Sequence, residues 1–123
     1  MNTKLLGSWG EALCAEYLRK KGYEILGLNY RTRLGEIDVI AADRRYVAFV
    51  EVKLRKSARF AQAREFVTWS KQGRVLAAAQ EWLAATPCGK QPRFDVMEIY
   101  APQGTATAEP ELRYWENAFS ADR

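Results

Sequence analysis

The chain has 123 residues, the size of one domain, and its 48% hydrophobic content supplies a packed core and excludes disorder along its whole length. It contains no histidine, which excludes Ser-His-Asp and Cys-His triads, histidine-ligated zinc and any imidazole base. The net charge is +4, yet between Lys53 and Arg74 seven basic residues face one acid, so that segment carries +6 and the remainder −2. Charge concentrated in this way suits a polyanionic partner, nucleic acid first; its plain alternative is a solvated basic loop and helix face. Cys14 and Cys88 lie far apart with no CxxC pair, which reads as two reduced thiols. With no apolar run of signal-peptide or membrane-spanning length, the expected location is the cytoplasm.

The first predicted element is a helix from Leu5 to Lys21. Leu5, Trp9, Ala12, Leu13 and Tyr17 form a helical stripe, and a second line carries Glu11, Cys14, Ala15 and Leu18. Gly22 is the expected C-cap. Glu11 interrupts an apolar line, so it belongs at the rim of the core or beside a partner. Tyr23 to Tyr30 reads as a short strand. Glu36 to Ala42 alternates, with Ile37, Val39 and Ala41 on one face and Glu36, Asp38 and Ile40 on the other. Tyr46 to Leu54 is a longer strand, joined to the previous one as an antiparallel hairpin. Ser57 to Phe66 has no period and reads as a basic loop. A helix follows from Thr68 or Ser70, either able to cap it, with Val75, Leu76, Ala79, Trp82 and Leu83 apolar, and Thr86-Pro87 stops it. Arg93 to Tyr100 and Glu111 to Glu116 complete the strands, giving the order α β β β α β β.

The candidate chemistry sits on the hairpin. The Tyr46 to Leu54 strand is apolar on both faces until Glu51 and Lys53 appear on one of them, and Asp38 lies on the same face of the neighbouring strand. A two-residue loop, Arg44-Arg45, would set Asp38 directly opposite Glu51. Arginine fits the positive φ of the favoured hairpin turns poorly, so a longer loop and a slight offset are expected. Two carboxylates ~4 Å apart repel by about 4 kcal/mol at an effective dielectric of 20. A shared proton, a lysine or a divalent cation would offset that. Oxygen ligands select a hard ion, Mg²⁺ or Mn²⁺, and two carboxylates with a nearby lysine suit phosphodiester hydrolysis. The alternative is a solvated polar network at the strand ends.

Taken together, several short motifs resemble one family. They are Gly10-Glu11 with Ala15, Tyr17 and Leu18; Gly22-Tyr23 and Ile25-Leu26; Asn29-Tyr30-Arg31 with Gly35-Glu36-Ile37-Asp38; Phe49-Val50-Glu51-Val52-Lys53 with Arg55; Lys71-Gln72; Arg93-Phe94-Asp95-Val96; and Asn117-Ala118-Phe119. The chain resembles the YraN-like bacterial family, itself similar to archaeal Holliday-junction resolvases of the PD-(D/E)XK nuclease superfamily. The resemblance implies a restriction-endonuclease-like fold: a mixed, largely antiparallel sheet flanked by helices, in one domain over 1–123. It implies a metal-dependent endonuclease, with Asp38, Glu51 and Lys53 catalytic, Glu11, Asp38 and Glu51 on Mg²⁺ or Mn²⁺, and branched DNA among the substrates. The basic residues Arg55, Lys56, Arg59, Arg64, Lys71 and Arg74, with Gln72, would then meet nucleic acid, and a homodimer follows by analogy. Ile37 stands where the superfamily has proline, and Phe60-Ala61 where its loop reads Phe-Gly. The other readings are a non-catalytic nucleic-acid-binding module on the same fold, or a basic patch for an acidic protein. Glu36 is as well explained by pairing with Arg31 or Arg33 as by metal ligation, Asp95 is a structural acid near Arg93, Trp82 belongs to the core, and Trp69 alone is placed for base stacking.

Overall fold

A computed structural model describes residues 3–57 and 67–120 of the chain. Its elements are α1 (Thr3–Lys20), β1 (Glu24–Arg31), β2 (Glu36–Ala42), β3 (Tyr46–Arg55), α2 (Trp69–Ala85), β4 (Gln91–Tyr100), a 3-10 turn at Gly104–Ala106 and β5 (Glu111–Phe119). The predicted basic loop after Ser57, with Arg59, Phe60, Ala61 and Arg64, lies outside the described residues.

The strands form one sheet in chain order, β1-β2-β3-β4-β5. Three of its ladders are antiparallel, and the β3–β4 pair at its heart is parallel. A parallel pair needs a crossover, and α2 is that crossover. α1 covers one face of the sheet: Cys14 and Leu18 are buried against Val39, Ala41, Ala48, Val50, Met97 and Ile99. α2 covers the other, where Val75, Ala78, Ala79 and Trp82 meet Ile37, Ile40, Val47, Phe49 and Phe94. Phe49 lies edge-on to Trp82 at 5.7 Å and stacks on Phe94 at 5.6 Å. The fold is therefore a mixed, mostly antiparallel sheet between helices, consistent with a restriction-endonuclease-like architecture. Among the described residues no helix is long and apolar enough to cross a membrane. Cys14 and Cys88 are unbridged.

Local chemistry explains the element ends. α1 closes in a Schellman motif: Tyr23 N–H donates to the Leu18 carbonyl and Gly22 N–H to that of Arg19, with Gly22 at φ 93°. Thr68, rather than Ser70, caps α2, its hydroxyl accepting from Lys71 N–H at 3.1 Å. The buried line of α1 is Cys14, Ala15 and Leu18, while Trp9, Leu13 and Tyr17 flank it and Ala12 is exposed. The stripe led by Trp9 is thus the border of the packed face rather than its centre.

The hairpin departs from expectation in an informative way. The β2–β3 register runs from Ala42↔Val47 to Val39↔Val50, and Asp43 N–H bonds the Tyr46 carbonyl, so the loop is Arg44-Arg45 alone. Neither arginine needs a positive φ, because Asp43 Oδ1 accepts from the N–H of both Arg45 and Tyr46, at 2.8 and 2.7 Å, and closes the turn itself. The longer, offset loop expected from turn preferences is replaced by this side-chain device. The expected alternation of β2 also breaks: Ile37 packs on the α2 side with Ile40, apart from Val39 and Ala41.

Candidate active site

The break in β2 falls at Asp38. Beyond Val39↔Val50 the ladder stops, and the Asp38 carboxylate takes over from the backbone: Oδ2 accepts from Val52 N–H at 2.8 Å. On β1, opposite this point, Asn29 adopts φ 56°. The sheet is thus pried open where the candidate acid enters, and a carboxylate fills the hydrogen-bonding role of a peptide.

Glu51 follows Val47 and Phe49 on the α2 face of β3, and it remains in the core with 4% exposure. Its Oε1 meets Lys71 Nζ from α2 at 3.2 Å and Lys53 Nζ from its own strand at 3.8 Å. Its Oε2 is buried and accepts no hydrogen bond. Burial, and after it the charge of Asp38, push the Glu51 carboxyl up to about 7, against the pull of Lys71 and Lys53. Asp38 is also raised, chiefly by burial, with the Val52 N–H and Lys71 opposing. Glu11 projects from α1 into the same cleft, and burial and then Asp38 raise its carboxyl as well. A cavity of about 440 Å³ lined by Glu11, Asn29, Arg31, Glu36 and Asp38 opens onto this cleft.

A buried carboxylate with an unsatisfied oxygen, next to a second raised carboxylate, is a donor set for a hard cation. Among the described residues no three Asp, Glu, Cys or His side chains gather into a ready ligand shell. Mg²⁺ does not need one, since it binds through one or two carboxylates and keeps several waters. Asp38 and Glu51 fit that requirement, with Glu11 on the outer side of the cleft.

The remaining sequence candidates separate. Lys71 faces the site: it lies between Glu51 and Glu36, at 3.2 and 3.9 Å, because the N-terminus of α2 sits over the α2 face of β3. Gln72 is also absorbed locally, its Nε2 donating to the Val67 carbonyl at 2.8 Å, which ties the entry of α2. Arg55 is half-buried at the end of β3, where its charge acts on Tyr100, in register with it on β4. Lys56 and Arg74 are exposed, and Arg59 and Arg64 lie outside the described residues. Glu36 pairs with Arg31 at 3.4 Å, as its structural reading expected. Trp69 is 64% exposed.

Two buried polar clusters support the sheet away from this cleft. Asp95, fully buried, receives Arg93 Nε and Nη2, Tyr114 Oη and the Asn117 N–H, bearing out its structural role. Glu98 is also fully buried and accepts from Trp115 Nε1 at 2.7 Å and from Tyr100 Oη. The signal in the sequence for a buried acid here is the pair of aromatic donors, Tyr100 two residues along and Trp115 on the neighbouring strand.

Comparison with known proteins agrees with the sequence resemblance. A family model described as "Uncharacterised protein family UPF0102" matches residues 10–99, a stretch that holds Glu11, Asp38, Glu51, Lys53 and Lys71. The chain is 41% identical over 120 residues to a UPF0102 protein of Caldanaerobacter subterraneus, covering 97% of this chain and 98% of that one. It is 46% identical over 115 residues to a UPF0102 protein of Syntrophomonas wolfei, covering 93% and 96%. A UPF0102 protein of Rhodococcus opacus is 40% identical over 115 residues, covering 93% and 95%. With a family model matching most of the chain and relatives matched over nearly their whole length, the chain belongs to the UPF0102 family, the YraN-like proteins.

Proposed function

We propose that this protein is a divalent-metal-dependent endonuclease that hydrolyses phosphodiester bonds in nucleic acid, DNA first and branched DNA among its forms. The observation that carries the reading is the buried Glu51 carboxylate, whose Oε2 has no hydrogen-bond partner, beside Asp38. Asp38 and Glu51 would hold Mg²⁺ or Mn²⁺, which supplies charge stabilisation at the phosphate oxygens. The chain's own groups do the rest. Asp38 is anchored by the Val52 N–H, which fixes its carboxylate without side-chain searching. Lys71 holds Glu51 in place from the opposite element and lowers the repulsion between the two acids. Lys53 is 24% exposed at the side chain and touches Glu51 only loosely at 3.8 Å, so its ammonium is free to turn toward a phosphate oxygen or an attacking water.

The test is cleavage of single-stranded, duplex and junction DNA by purified protein with Mg²⁺, Mn²⁺ or EDTA. Cutting is expected with an ion and absent in EDTA. Lys53→Ala should bind DNA nearly as well and cut ~100-fold more slowly or worse, the scale for losing one positioned charge. A wild type that cuts nothing with either ion refutes the hydrolase. Salt-dependent binding without cutting would then leave a non-catalytic nucleic-acid module, and no binding would leave an acidic protein as the partner.

A further inference from the structure

Beside the carboxylate cleft lies a second cavity of about 270 Å³, between the β1–β2 turn and the first turns of α2, lined by Arg31, Arg33, Leu34, Lys71 and Arg74 among others. Four cations and one acid, Glu36, border it. Arg31 and Lys71 are drawn to Glu36, at 3.4 and 3.9 Å. Arg33 and Arg74 have no carboxylate within ion-pair distance among the described residues, and both are exposed. Two guanidiniums without a carboxylate partner among the described residues therefore border one concave space.

The wall of this space is well tied. Thr32 Oγ1 accepts from the N–H of Leu34 and Gly35 at 3.0 and 3.2 Å, and Thr32 N–H bonds the Gly35 carbonyl at 2.8 Å, so the turn is fixed by its own hydrogen bonds. Gly35 lies so close to α2 that a Cβ there would sit 2.2 Å from the Arg74 carbonyl oxygen. Turn and helix are thus in close backbone contact, which sets the backbone spacing between Arg33 and Arg74. The cavity connects to the cleft through a chain of charges, Arg31–Glu36–Lys71–Glu51.

We infer that this cavity is a seat for a backbone phosphate of the nucleic-acid strand, next to the one presented to Asp38 and Glu51, with Arg33 and Arg74 as its contacts. The inference rests on the nucleic-acid reading above, but not on catalysis. A planar guanidinium presents paired donors to phosphate oxygens, and two of them converging from separate elements define a position along the strand. Phosphate contacts of this kind fix register without reading sequence.

The experiment measures binding of a labelled duplex and a labelled single strand by fluorescence polarisation in EDTA across a salt series, with cleavage in Mg²⁺ or Mn²⁺ measured separately. Circular dichroism and melting should show Arg33→Ala and Arg74→Ala folded, since both side chains are exposed. Each should weaken affinity about tenfold and make the slope of log affinity against log salt shallower by about one; the double variant should lose about two. The loss should be the same for different sequences. A double variant with wild-type affinity and slope overturns the seat, even if the wild type cuts DNA, in which case the hydrolase stands. Loss of slope in a protein that never cuts supports the seat and overturns the hydrolase. A wild type that binds neither probe overturns the seat as well.

Discussion

Glu51 offers the sharpest physical test, because its charge is costly where it sits. Burial and Asp38 raise its carboxyl to about 7, from an ordinary 4.5 in the unfolded chain. An acid raised on folding binds its proton more tightly in the native state, so between about pH 4.5 and 7 the folded protein holds more protons than the unfolded one. Stability therefore falls as pH rises through that window, and the loss is complete above pH 7. The shift corresponds to about 3 kcal/mol at 1.36 kcal/mol per unit. Asp38, raised as well, adds loss of the same sign above its own ordinary range. Glu51→Gln removes the charge while keeping the shape. At pH 8 in EDTA it should stabilise the protein; allowing for an amide oxygen accepting more weakly from Lys71 than a carboxylate does, about 2 kcal/mol remains, or roughly 6–10 °C in Tm. Near pH 5, where the native carboxyl is already neutral, the two proteins should melt almost together. Mg²⁺ or Mn²⁺ at about 100 times its Kd should return about 3 kcal/mol to the wild type at pH 8, and little to Glu51→Gln or Asp38→Asn. Melting curves at pH 5 to 8.5, with EDTA or ion, read all of this. Parallel pH profiles for wild type and Glu51→Gln, or an equal ion response in all three proteins, would refute the reasoning.

Two further expectations concern the frame. Arg93→Ala leaves Asp95 fully buried without its guanidinium, although Tyr114 and the Asn117 N–H still reach it; urea unfolding at pH 7 should show a loss of about 3 kcal/mol, and a loss under 1 kcal/mol would mean the ion pair is dispensable. Gly35→Ala must push the β1–β2 turn away from α2, because the added Cβ would stand 2.2 Å from a carbonyl oxygen; Tm should drop by an amount equivalent to about 1–3 kcal/mol, and an unchanged Tm would show that the turn yields freely.

The layered fold was legible because its elements are written in periods: both helices and the core of β3 follow apolar repeats that survive in the structure. Asp38, Glu51 and Lys53 stood out because charge interrupts an otherwise apolar hairpin. What stayed hidden depends on side chains acting as backbone. Asp43 closes a turn its arginines could not favour, and Asp38 replaces a ladder partner, and neither act leaves a trace in hydrophobic periodicity. The individual partners of Lys71 and Gln72, Glu51 and the Val67 carbonyl, were not legible because they are fixed by how α2 lands on the sheet rather than by helical spacing. Arg33 and Arg74 lie 41 positions apart and line one cavity only because Gly35 lets the turn lie against α2.

The two outer strands carry matching irregularities. β1 has a register shift between Ile25 and Gly27 and a left-handed Asn29; β5 shifts opposite Phe94 to Val96 and has a left-handed Asn117. An open sheet exposes its unpaired peptide groups at both margins, and β1 adds Leu26 and Leu28 to the surface there. Such a margin invites another chain to extend the sheet and seed fibrils, unless its hydrogen-bonding row is bent out of line. Each bulge does that bending. An outer strand that carries exposed leucines is thereby kept from offering a second strand the straight template that aggregation requires.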